Sequence, residues 1–60
     1  MSAKSDLQNR IDVKKSLAAK HERLASVAGS TPKRNTYLFQ ARRFHAQVRA
    51  LETQFGQQFG

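Results

Sequence analysis

Apolar residues recur with helical spacing in both halves of this 60-residue chain, on either side of Gly29-Ser30-Thr31-Pro32. In the second half Tyr37, Ala41, Phe44, Val48, Leu51 and Phe55 alternate steps of four and three, which sets all six on one face of an α-helix. The first half carries two such lines. Val13, Leu17, Leu24 and Val27 form one, and Leu7, Ile11, Ala18, Ala25 and Ala28 form its neighbour. Together they cover a wider arc than one packing partner requires.

The tetrapeptide between the halves combines a helix stop with a helix start. Gly29 suits the left-handed residue that closes a helix, Thr31 can cap the next one, and Pro32 fits its first turn, where no backbone N–H is needed. At the other end Ser5 and Gln8 have capping-box spacing, and Asp6 places a negative charge where the helix dipole favours it. The pattern predicts helix 1 over 5–28, a turn at 29–31, helix 2 over 32–55 and a frayed tail at 56–60. The fold class is all-α: an antiparallel two-helix hairpin forming a single domain.

Reversing the chain at the turn sets Leu24 near Tyr37, Leu17 near Phe44, Val13 near Val48, Ile11 near Leu51 and Leu7 near Phe55. These ten residues are the predicted helix-packing core. Ala18, Ala25 and Ala28 are then left over, and their small side chains permit close helix approach. A two-fold dimer forming a four-helix bundle would bury them, unless they are simply good helix formers on a solvated face. A domain of this size buries only about 60% of its unfolded surface, so further support is expected. The chain has no cysteine, which excludes disulfides, thiolate metal sites and a catalytic thiol, and leaves a homodimer or another partner chain.

Eleven Lys and Arg against four Asp and Glu give a formal net charge of +7. With a pI near 11.0, a polyanion becomes the default partner. Asp6 and Arg10, and Asp12 and Lys15, stand at spacings that pair along a helix, while most other cations have no acidic neighbour at such spacing.

Two groups of cations are candidate sites. Lys33 and Arg34, with Thr31 and the free amides of a helix start, form a possible phosphate-binding corner. A solvated turn with the helix starting at Asn35 is the competing reading. On the outer face of helix 2, Leu38, Arg42, His45 and Arg49 follow at steps of four, three and four, with Arg43 at the flank and Phe39 opposite the seam. Arginines grip phosphates bidentately, and an exposed aromatic stacks on an unpaired base or fills a partner's pocket. Alternatively Phe39 tucks against the turn or joins a dimer seam. The predicted nucleic-acid-binding residues are therefore Lys33, Arg34, Arg42, Arg43, Arg49 and Phe39.

Neither His21 nor His45 has metal-site spacing to another ligand; His21 lies within the apolar arc beside Arg10 and Lys14, which suits a bundle edge. No nucleophile has an evident base, there is no glycine-rich phosphate loop, and two helices are expected to leave no room for a ligand pocket. An enzyme, a metal and a cofactor are not expected. The longest bulky apolar run is Tyr37-Leu38-Phe39, and Met1–Arg10 has no apolar leader core, so a soluble cytoplasmic chain is expected.

These features predict a small basic non-enzymatic binding module acting on nucleic acid, with RNA slightly ahead of DNA. The alternative is a protein-interaction adaptor or chaperone-like hairpin with an acidic protein partner; attachment to anionic membranes is weaker, since pairing in the hairpin explains the apolar faces. Two long antiparallel helices are not a helix-turn-helix, which disfavours sequence-specific DNA readout. The architecture resembles that of small helical-hairpin dimers such as the plasmid RNA-organising Rop proteins. The resemblance is one of architecture with no residue-level motif behind it, so it adds only slightly to the expectation of an RNA partner.

Overall fold

Each helix begins at a serine that stands just outside it. The computed structural model describes residues 2–60, in which α1 spans Ala3–Ser26 and α2 spans Thr31–Phe59, with no strand among the described residues. Ser2 Oγ accepts the Ser5 amide at 3.1 Å, and Asp6 lies in the first turn. The capping role expected of Ser5 thus falls to Ser2, and the helix both starts and ends two residues earlier than expected. Ser30, in extended conformation, likewise takes the role expected of Thr31 by accepting the Lys33 amide at 3.4 Å, with Pro32 in the first turn.

The turn closes without a left-handed residue. No glycine has positive φ, and α1 ends at Val27 with φ −107° and ψ 5°. The Arg23 carbonyl accepts both the Val27 amide at 3.3 Å and Ser26 Oγ at 2.7 Å, while the Ala28 amide donates to Ala25 at 3.3 Å. Tightening the last turn in this way satisfies the Arg23 and Ala25 carbonyls without a left-handed Gly29.

The tail is helical as well. α2 continues through Gly56 to Phe59, the Gly60 amide donates to the Gly56 carbonyl at 3.0 Å, and the Phe55 and Phe59 rings pack in a tilted pair with centroids 5.3 Å apart. A mid-helix glycine costs about 1 kcal/mol relative to alanine, and this aromatic contact one turn apart helps to offset it. The 43 Å long axis of the molecule matches α2 at about 1.5 Å per residue.

The seam between the helices differs from the expected one on α1. The buried residues are Leu7, Ile11, Ala18 and Ala25 of α1 with Ala41 and Val48 of α2. Val13 is 56% exposed, Val27 is 78% exposed, and Leu17 and Leu24 are half-buried. Ala18 is fully inaccessible and Ala25 is 2% exposed within a single chain, so neither is available to a second copy; Ala28 is half-buried beside the turn. The alanine line expected to form a dimer interface is therefore the hairpin's own seam, and Val13 leaves the core.

The register explains the exchange. The His21 ring lies 6.3 Å from Tyr37 and 5.1 Å from Phe44, which flank Ala41, so His21 stands level with that alanine. Extending the antiparallel register outward brings Ala25 level with Tyr37, Ala18 with Phe44, Lys14 with Val48, Ile11 with Leu51 and Leu7 with Phe55. The last two pairs match expectation. The other three move by one residue on α1, a rotation of about 100° that swaps one apolar line for the other. Volume decides it: α2 contributes Tyr37 and Phe44, and close approach at those levels needs a small residue opposite.

Candidate functional site

Helical phase sorts the side chains beyond the seam onto two flanks of different chemistry. On one flank Lys15 Nζ lies 3.5 Å from a Glu52 carboxylate oxygen, and His45 Nε2–H donates to Glu22. Asp12 on the same flank accepts from Gln8 at 3.0 Å, so Lys15 bridges across to α2 instead of pairing with Asp12. Three of the four acidic residues are thus gathered on one side.

The other flank is a groove. Arg10, Val13 and Lys14 of α1 with Gln47, Ala50 and Leu51 of α2 line an open hollow of ≈ 520 Å³. The expectation that two helices leave no such space is corrected, because α1 faces α2 with alanines and leaves its larger Val13 and Leu17 at the groove wall. A second hollow continues it past His21, Gln40, Arg43 and Phe44. Lys14 occupies a seam position. It is half-buried, and its ammonium lies 5.5 Å from the Phe44 ring centroid, so its stem covers apolar surface while its charge rests on an aromatic face. His21 Nδ1–H donates to the Leu17 carbonyl at 2.8 Å; a carbonyl only accepts, so Nδ1 carries the proton.

All six residues assigned to a nucleic-acid interface are exposed, but they do not form one face. Arg42 and Arg49 lie two turns apart, about 10 Å along α2, on one strip with Leu38 and His45, and through His45 this strip borders the flank that holds Glu22 and Glu52. Phe39 lies at the outer edge of that strip and is 61% exposed, so it neither tucks against the turn nor packs within the hairpin. Arg43 points to the groove flank, about 100° around the helix from Arg42, where it lines the hollow with Gln40 and Gln47. Lys33 and Arg34 stand in the first turn of α2. The phosphate corner expected there is largely used up: Ser30 engages the Lys33 amide through its side chain and the Arg34 amide through its carbonyl, and Pro32 has no amide to offer.

His21 sits at the hairpin edge with a hydrogen-bonded partner, as its place in the apolar arc suggests, whereas sequence reasoning missed the seam position of Lys14 and the shielded Gln47. The signal for Lys14 was period and not hydrophobicity, because Leu7, Ile11, Lys14, Ala18, His21, Ala25 and Ala28 keep the four–three alternation without a break. Gln47 has a shielded side-chain oxygen that accepts no hydrogen bond among the described residues. No group of His, Cys, Asp or Glu suited to a metal ion occurs among the described residues, and no helix is long and apolar enough to cross a membrane. No protein-family model, curated protein or solved structure matches the chain.

Proposed function

We propose that the hairpin is a non-enzymatic module that binds the backbone of single-stranded nucleic acid along the outer strip of α2. The observation that carries this reading is Phe39, a large apolar ring 61% exposed on the same outer side as Arg42 and Arg49. Both arginines are exposed, and neither takes part in a salt bridge among the described residues. Arginine forks on successive phosphates would hold the strand, and Phe39 would stack on a base turned out from it. Arg34, at the start of the same helix, extends the cationic track toward the turn, with Lys33 beside it. Arg43, one turn after Phe39 on its groove side, flanks the ring opposite Arg42 and adds to the cationic field beside it.

Stacking on a lone aromatic is tolerant of base identity, so the reading implies binding with little sequence preference, and RNA remains slightly ahead of DNA. The experiment is a titration of single-stranded RNA and DNA oligomers and of duplex DNA at several salt concentrations. Affinity falling with salt at a log–log slope of about −2 for three phosphate contacts to single strands supports the assignment. Absence of binding at low salt overturns it.

A further inference from the structure

We propose that the groove flank is a docking site for an acidic amphipathic helix, which lies along α1 and α2 as the third helix of a bundle. This surface is separate from the outer strip of α2, and the inference does not depend on nucleic-acid binding.

The groove has the length and lining a helix needs. Its α1 wall runs from Val13 through Leu17 to Leu24, about 16 Å or three helical turns, with Val13 largely exposed and both leucines half-buried. Its α2 wall carries Gln40, Gln47 and Gln54 at intervals of seven residues, so one amide faces the groove every two turns. Gln47, at the middle of this wall, lines both hollows and is half-buried against the seam. A row of apolar residues beside a row of amides offers both burial and register to an extended amphipathic partner.

Charge identifies the occupant. Arg10 and Lys14 line the groove beside Val13, Lys20 stands beside Leu24, and Arg43 lies along the α2 wall. Asp12, Glu22 and Glu52 lie on the opposite flank, and Glu22 and Glu52 are engaged across the helices; only Asp6, next to Arg10 at the far end, brings negative charge to this side. A second copy docking groove to groove would bring two cationic rims together, which is unfavourable. A nucleic acid would find the cations but would leave Val13, Leu17 and Leu24 uncovered. An acidic amphipathic helix satisfies both requirements, with its apolar stripe on the α1 wall and its carboxylates against the rim.

The test uses the isotopically labelled 60-residue chain and a synthetic helical peptide of about three heptads, with Leu at the two core positions and Glu at the flanking ones. Amide resonances of Val13, Leu17, Gln47 and Ala50 are expected to shift on titration, while Phe39 and Arg49 stay in place. Val13→Asp should weaken binding about tenfold or more, equivalent to about 1.4 kcal/mol. Because Val13 lies outside the buried seam, circular dichroism should show the variant still helical. A peptide with Lys in place of Glu should bind at least about tenfold more weakly. The proposal is overturned if no resonance shifts, if the Lys peptide binds equally well, if the free chain already dimerises through these residues, or if an RNA oligomer moves the groove resonances instead of those at Phe39 and Arg49.

Discussion

The His21 imidazole packs against the Phe44 ring with centroids 5.1 Å apart and planes inclined by 44°, in the space that Ala41 leaves between Phe44 and Tyr37. Ala41 is 3% exposed, so the smallness of its side chain is what admits the ring. Ala41→Leu would force His21 outward or the helices apart. The expected cost is about 1–3 kcal/mol in urea unfolding, accompanied by loss of the His21–Phe44 nuclear Overhauser contact. An unchanged midpoint would show that the ring is not held there.

Gly29 and Gly56, two of the three glycines, should both tolerate a methyl group. Neither has positive φ, and a Cβ built on Gly29 or Gly56 meets nothing within 4 Å. Gly56→Ala should stabilise the hairpin by about 0.5–1 kcal/mol, because it removes unfolded-state freedom from a helical position. Gly29→Ala should be neutral or mildly stabilising. A loss of stability on Gly29→Ala would mean that the turn uses a left-handed residue after all.

Capping distinguishes neighbouring hydroxyls. Ser30→Ala should cost about 1 kcal/mol, since its oxygen accepts the Lys33 amide, whereas Thr31→Ala should cost less than half as much. Equal effects in thermal unfolding would move the helix start by one residue.

Gln47→Met should raise stability by about 1 kcal/mol, because it replaces a shielded acceptor without a donor by an apolar side chain of similar length. The same variant removes an amide from the groove wall. Differential scanning calorimetry reads the first effect, and a fall in the midpoint would show that the oxygen is satisfied in solution.

Phe39→Ala should leave stability within about 0.5 kcal/mol, as expected for an exposed position. Its expected effect is on single-stranded nucleic acid, where losing a stacking platform costs about 1–3 kcal/mol of binding. Fluorescence anisotropy with single-stranded and duplex oligomers measures both arms; an equal loss on duplex would remove stacking as the cause.

Legibility in the sequence differed from element to element. The α2 seam could be read residue by residue, because one dominant stripe of large residues leaves no competing face. Phe39 lies on the side opposite that seam, and it is exposed for that reason. Helix limits moved by two to four residues where two serines compete as caps and where Phe59 supports the last turn of α2. The basic site was legible as a set of cations but not as a surface. Arg42 and Arg43 are adjacent in sequence and face different flanks, because neighbours on a helix lie about 100° apart.

Local chemistry by itself determined that two helices form, that they reverse between Ala28 and Thr31, and that the chain carries an excess of exposed cations. These follow from period, caps and composition, none of which depends on what a helix touches. Tertiary structure alone decided which of the two apolar lines of α1 faces α2. Side-chain bulk favours Val13, Leu17 and Leu24, but the bulky Tyr37 and Phe44 of α2 need small residues opposite, so Ala18 and Ala25 enter the seam and the larger line becomes the wall of the groove. Packing volume is a property of the pair of helices, and one helix read alone does not contain it.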